Sequence, residues 1–188
     1  MRGNAFSARG AASLGERGLR RGAIPRGQGL VATKGVKRVT RTLSHYDRRG
    51  RVQMVDVSRK PPTLREAVAS AYVKMSPLTL RKIKDNPKGD PFEVARIAGI
   101  AAAKRTADLI PLCHSLQLSH VDIQIAPRKD GVCLTSQVRS TGPTGVEMEA
   151  LVAVAIAALT VYDMCKAVDK EMSIGEIRLI TKTKEDLK

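Results

Sequence analysis

Residues 121–138 read VDIQIAPRKDGVCLTSQV. Two β-branched runs, Val121–Ala126 and Val132–Val138, stand on either side of Arg128, Lys129, Asp130 and Gly131, so the stretch predicts a β-hairpin with a glycine-containing loop. What flanks the hairpin decides how its strands are used. Upstream, residues 67–75 alternate strictly, with Ala67, Ala69, Ala71, Val73 and Met75 on one face. That period of two predicts a strand, in spite of Thr63 and Glu66 standing at capping-box spacing.

Two helices are predicted between that strand and the hairpin. Ser76 caps a short one with Pro77 at its first position, ending before Asn86 and Pro87. Asp90, Pro91 and Glu93 supply N-cap, first position and third position of a second, which is expected to run to about Ala107 before Pro111 prevents continuation. Downstream, residues 145–170 read GVEMEALVAVAIAALTVYDMCKAVDK. Thr144 and Glu147 form a capping box in front of strong helix formers, so a long helix is expected from Gly145. Ile177–Thr181 is expected to be the closing strand. Strand, helix, hairpin, helix, strand is an α+β, ferredoxin-like order: a four-stranded antiparallel sheet with helices packed on one face.

The 188 residues suit one domain plus a tail, and 43% apolar residues allow a real core. With no Trp and five Phe and Tyr together, that core must be aliphatic. A net charge of +15 suggests a nucleic-acid binder until its distribution is read: residues 1–51 hold 13 Lys and Arg against Glu16 and Asp47, and carry +11 of it. Eight glycines between Gly3 and Gly35, with Pro25 and scattered arginines, cannot bury apolar surface, so residues 1–42 are expected to be a disordered basic tail, with the folded domain at 43–188. The Arg-, Ser- and Ala-containing, acid-poor composition also suits a mitochondrial transit peptide, which would place the mature protein in the matrix; otherwise a cytoplasmic location is expected. Nearly absent aromatics argue against a specific nucleic-acid role for the tail.

The helix at 145–170 also carries the first candidates for chemistry. Glu147, Glu149, Asp163, Lys166 and Lys170 flank a charge-free run from Ala150 to Tyr162. Asp163 and Lys166 project about 60° apart on a helix, so they can meet on one face. Glu149 points nearly the same way, but fourteen residues at about 1.5 Å rise place it about 21 Å off along the axis. If both ends carry chemistry, a site built across a subunit boundary is the simplest geometry. An apolar stretch of thirteen residues falls short of the roughly 20 that span a bilayer, and suits a helix inside a core or interface. By itself such a pair near a helix end is more often a solvated or structural ion pair than a functional one.

Other polar residues gather at the junctions. Lys88, Gly89 and Asp90 open the second helix, where free backbone N–H groups favour an anion, although an ordinary capped turn has the same residues. Lys104 and Arg105 suit that helix's C-terminal dipole. His114 lies in the apolar run LIPLCHSL, and Cys113 beside it is not paired with it by adjacency alone. Cys113, Cys133 and Cys165 are an odd number and widely spaced, and only His45, His114 and His120 exist, so no metal site and no disulfide framework is expected.

The strings MVDVS at 54–58, KGD at 88–90, ARIAGI and AAKRT within 95–106, LIPLCHSL at 109–116, TGVEMEAL at 144–151 and LTVYDMCKAV at 159–168 together closely resemble the cyclic pyranopterin monophosphate synthase family of molybdenum cofactor biosynthesis. The last three in this order are highly specific, and the resemblance covers about residues 42–183. It implies a lyase acting on a cyclised dihydroguanosine triphosphate, with the ribose joined to the purine, to give cyclic pyranopterin monophosphate and diphosphate. It implies no metal or organic cofactor, a ferredoxin-like fold, and a homohexamer of three dimers with sites at subunit boundaries. Carried over, the catalytic residues fall on Asp163, Lys166 and Lys88. Substrate contacts fall on Leu112, Cys113, His114, Glu147, Met148, Glu149, Lys104, Arg105 and Lys182.

The C-terminus departs from the family pattern. The usual ending is a lysine followed by a glycine-rich basic loop, K-T-G-G-K-S-G, whereas residues 182–188 read KTKEDLK. Lys182 and Thr183 match, both glycines and the next lysine are missing, and Glu185 and Asp186 add negative charge. The alternative to an active enzyme is therefore a catalytically impaired member acting as an assembly or scaffold protein.

Overall fold

The computed structural model describes residues 44–87 and 89–187; Lys88 and the expected tail or transit peptide at 1–42 lie outside them. The alternating segment forms β1, Thr63–Lys74. Ala67, Ala69, Ala71 and Val73 are at most 1% exposed, so the period-two pattern marks the buried face as expected. Thr63 and Glu66 lie inside this strand and make no capping box. Glu66 pairs instead with Arg139 across the sheet. Strand pairing takes these residues because the alternation continues through them.

Ser76 caps α1, Pro77–Lys82, accepting from the Thr79 N–H at 3.2 Å, and a 3₁₀ turn at Ile83–Asp85 follows. Asp90 caps α2, Pro91–Ala103, accepting from the Phe92 N–H at 2.8 Å. This helix stops short of the expected Ala107. The Arg105 N–H turns back to the Ala102 carbonyl, and buried Thr106 donates its hydroxyl to the Ala103 carbonyl at 3.0 Å. A separate turn, α3 at Thr106–Leu109, follows. The break satisfies helix-end carbonyls locally, so no Gly or Pro is needed.

The hairpin strands β2, Leu118–Arg128, and β3, Gly131–Gly142, are longer than predicted, and Lys129–Asp130 alone form the loop. A Cβ at Gly131 would run into the Val73 carbonyl and the Tyr72 ring, so glycine is required there for close approach. Helix α4, Glu147–Cys165, and β4, Ser173–Asp186, complete the chain. The sheet order is β2-β3-β1-β4, every pair antiparallel. Helices cover one face, the α+β ferredoxin-like arrangement expected from the element order.

Small residues let α4 lie close on the sheet and on α2. Ala150, Ala153, Ala157 and Ala158 are fully buried, and a Cβ on Gly99 of α2 would sit 2.9 Å from the Ala153 carbonyl oxygen and 3.2 Å from the Ala157 methyl. By length and composition α4 could cross a membrane, but half of that stretch is buried within this fold. The aliphatic core is Ile123, Val132, Leu134, Val138, Val154 and Val161, all at most 1% exposed. Each such side chain contributes roughly 1.5–3 kcal/mol on burial.

The closing strand is much longer than the predicted Ile177–Thr181. Residues 182–186, which depart from the glycine-rich loop of the family the sequence resembles, continue β4 and pair with Thr63–Ala67 of β1. A bulge interrupts the pair: Ser70 faces Arg178 and Tyr72 faces Gly175, with Glu176 at φ +52° absorbing the extra residue. This outer strand leaves Ile177, Leu179 and Ile180 exposed.

Candidate active site

Buried Ser136 of β3 donates its hydroxyl to the Ala150 carbonyl at 2.7 Å, which fixes the first turn of α4 against the sheet. The expected capping box is absent. The helix begins at Glu147 behind Val146, with no side-chain cap. The Glu147 carboxylate is drawn elsewhere, accepting from the Lys182 ammonium of β4 at 3.0 Å. It also folds back over Gly145, where any Cβ would collide with it. Two residues on, Glu149 is 3% exposed.

The segment after α3 turns at Pro111, with the Cys113 N–H bonded to the Ile110 carbonyl, and brings His114 to the same place. His114 Nε2 lies 2.8 Å from the Val55 carbonyl oxygen. A carbonyl only accepts, so Nε2 carries a proton, and in the neutral tautomer that fits this bond the lone pair is on Nδ1. Segment 44–57 is thereby held over the site. Asp47 tightens its turn by accepting from the Arg49 and Arg51 N–H groups at 2.8 and 2.9 Å, and Tyr46 bridges Val52.

These parts enclose a cleft of about 300 Å³ lined by Leu112, Cys113, His114, Glu147, Met148 and Glu149, with His45, Val55, Val57 and Lys60 on the opposite wall. Two smaller hollows adjoin it. One, about 60 Å³, is edged by Lys104 and Arg105 and shares His114 and Glu149. The other, about 150 Å³, collects Arg65, Lys182 and Lys184 around Glu66 and Glu147. A cleft of mixed polar and apolar lining, with Glu149 buried and Glu147 half-buried, beside a hollow holding three cations suits a ligand with a hydrogen-bonding ring at one end and a polyanion at the other.

Burial raises the Glu149 carboxyl above its ordinary value, and the neighbouring Glu147 carboxylate adds to this. For Glu147 burial also works upward, but its own backbone N–H and Lys182 outweigh it and leave the carboxyl lowered. Two carboxyls at one helix end are thus pushed apart, one favouring a proton and one favouring charge. Burial, with Glu149 nearby, raises the Cys113 thiol, so it is no activated nucleophile.

Asp163 and Lys166 sit at the far end of α4. Their charges meet at 2.6 Å, as the helical spacing predicted, with side chains 59% and 56% exposed. The hydrogen bond to Asp163 raises the Lys166 ammonium above its ordinary value, which suits a cation or proton donor better than a base. Asn86 donates to the Met164 carbonyl at 2.8 Å and is anchored at this same end. Asp169 accepts from the Ser76 N–H at 2.8 Å and the Thr79 hydroxyl at 2.9 Å, fixing α1 there as well.

Of the residues singled out from sequence, one chain therefore gathers Leu112, Cys113, His114, Glu147, Met148, Glu149, Lys104, Arg105 and Lys182 around one end of α4. It puts Asp163 and Lys166 at the other, and Lys88 is outside the described residues. The sequence reading missed His45, Lys60 and Arg65. Arg65 had a signal: it shares parity with Ala67 and Ala69, and a charged residue on the inward face of a strand asks for a partner. Its Nε is buried with no hydrogen-bond partner among the described residues.

A model of the MoaC family matches residues 54–185. A protein of Chloroflexus aggregans named cyclic pyranopterin monophosphate synthase is 60% identical over 144 residues, 74% of this chain and 87% of that protein. Proteins with the same name from Roseiflexus sp. and Pelotomaculum thermopropionicum are 57% and 54% identical over 145 residues each, covering 92% and 85% of their own lengths. Each match spans 75% of this chain. They lend no support to the reading of an impaired scaffold.

Proposed function

The chain belongs to the MoaC family, and from that premise we propose that it acts in molybdenum cofactor biosynthesis as a cyclic pyranopterin monophosphate synthase. It converts a cyclised dihydroguanosine triphosphate to cyclic pyranopterin monophosphate and diphosphate. The observation that carries this reading is the cleft at the start of α4, where buried Glu149 and half-buried His114 adjoin a hollow lined by Arg65, Lys182 and Lys184. Carboxyl groups and the His114 Nδ1 lone pair accept from ring N–H groups and sugar hydroxyls, while the basic hollow holds phosphates as charge pairs.

The chemistry needs proton transfers during ring opening and rearrangement. In the closing step a ribose hydroxyl oxygen bonds to the phosphorus nearest the sugar, the bond to the diphosphate oxygen breaks, and the hydroxyl proton leaves to a base. Asp163 is the acceptor and Lys166, held protonated beside it, the donor; Lys88 completes the group against the phosphates. No resident metal or organic cofactor enters this reaction.

Because α4 separates Glu149 from Asp163 by about 21 Å, each site takes its ring-binding groups from one chain and its proton-transfer pair from another. The assembly is a homohexamer of three dimers, a reading supported by that separation and by the exposed apolar side chains of β4. Residues 1–42 act as a transit peptide to the mitochondrial matrix, supported by their Arg-rich, acid-poor composition. A cytoplasmic location of the tagged full chain contradicts that part alone. The function itself is tested by incubating purified protein with the cyclised nucleotide and measuring diphosphate release together with the pterin product.

A further inference from the structure

We propose that His45 is a further substrate-contacting residue, donating a hydrogen bond from its imidazole to a carbonyl oxygen on the heterocyclic, purine-derived part of the substrate; this rests on the reading of the cleft given above. His45 lines the same cleft as Cys113, His114 and Glu149. Its Nδ1 is buried with no hydrogen-bond partner among the described residues. Buried polar nitrogens are almost always paired, so one left unpaired in a residue that lines the cleft calls for a partner.

The position of the ring is fixed rather than incidental. The Gln53 N–H bonds to the His45 carbonyl at 3.0 Å, Tyr46 bridges Val52, and Asp47 closes the turn between them. The returning segment is pinned in turn by His114 at Val55. A loop held from both sides positions its side chains for contact.

Complementarity selects the heterocycle over the phosphates. Around His45 the cleft presents apolar surfaces from Val55, Leu112 and Met148, which suit a ring face, and the Glu147 carboxylate, which repels phosphate. The Glu147 carboxylate accepts from the N–H groups of a guanine-like ring, and Glu149, inclined by burial to keep its proton, presents one O–H and one acceptor oxygen. Such a ring also carries a carbonyl oxygen, and it needs a donor. Lys182 is engaged by Glu147, and Lys60 is exposed. The half-buried His45, with its Nδ1 unpaired among the described residues, meets the need.

The test compares the full-length protein with His45→Phe, which fills the space without a donor, and His45→Gln, which restores one. Wild-type turnover of the cyclised nucleotide is measured first, and its absence sinks the functional reading and this one together. With turnover established, His45→Phe is expected to raise KM for the nucleotide by about tenfold, the scale of one lost buried hydrogen bond. Inhibition by inorganic triphosphate and the melting temperature should stay unchanged, and His45→Gln should recover most of the affinity. A Phe variant with wild-type KM overturns the assignment while leaving the enzyme reading intact. A rise shared equally by inorganic triphosphate, or a Gln variant that is folded yet no better than Phe, also overturns it.

Discussion

Mixing two inactive variants distinguishes a shared site from a self-contained one by a number. Helix α4 places Asp163 fourteen residues after Glu149, about 21 Å along the axis at 1.5 Å per residue. The cleft around Glu149 is about 300 Å³ and does not include Asp163 or Lys166. Glu149→Gln and Asp163→Asn preserve shape, so each should assemble normally while losing at least about 10²-fold in turnover. If each site draws Glu149 from one chain and Asp163 from its neighbour, a random one-to-one mixture has half its chains intact at each position, and about a quarter of sites regain both groups. Co-refolded or co-expressed oligomers should then show about a quarter of wild-type activity, far above the parents. If each chain builds its own site, every site keeps one defect and the mixture stays at the parental level. Native mass spectrometry confirming mixed oligomers, with activity unchanged from the parents, would falsify the shared geometry.

Four further outcomes follow from particular contacts. Lys166→Ala should retain the wild-type melting temperature, because the pair with Asp163 is exposed, yet lose at least about 10²-fold in turnover; near-normal kinetics would remove Lys166 from the proton-transfer group. The Glu149 carboxyl is raised by burial, so its contribution to stability is fully present below the ordinary value of 4.5 and is lost as pH rises through the higher folded value. Denaturant melts should accordingly show Glu149→Gln gaining on wild type as pH rises through that window, and a constant difference would contradict the assignment. Ser136→Ala should cost about 1 kcal/mol by removing the bond to the Ala150 carbonyl, read as a lower denaturation midpoint. Lys184→Ala should raise KM without lowering kcat, since Lys184 lines the basic hollow; an unchanged KM would show that the strand-forming C-terminus plays no part in holding phosphates.

Sequence carried the fold where local physics and tertiary packing agree. The parity of Ala67 to Met75, the Ser76 and Asp90 caps and the β-branched hairpin runs each specify one conformation and one buried face. Boundaries were legible only where a breaker marked them. The stop at Ala103 depends on the Thr106 hydroxyl returning to a helix carbonyl, and nothing in AAKRT announces that choice. Likewise Thr144 and Glu147 have the letters of a capping box, but Lys182, thirty-five residues away, takes the Glu147 carboxylate. The extension of β4 to Asp186 comes from partners on β1, which a window of sequence cannot contain.

The candidate site was legible in part for the same reason. Spacing alone predicted that Asp163 and Lys166 meet, and the resemblance supplied LCH and EME, which the fold brings to one cleft. His45 lay beyond reach because its role depends on a hairpin folding back over residues seventy positions downstream. Arg65 was within reach, as a charge on an inward strand position.

The central claim is that this chain converts the cyclised guanosine derivative to cyclic pyranopterin monophosphate. Its most direct test is single-turnover chemistry with purified full-length protein, Asp163→Asn as control, and no added cofactor. The account predicts one diphosphate released for each cyclic phosphate-bearing pterin formed by the wild type, and neither product from the variant above background. Diphosphate release without the pterin, or equal conversion by the Asp163→Asn protein, would contradict it.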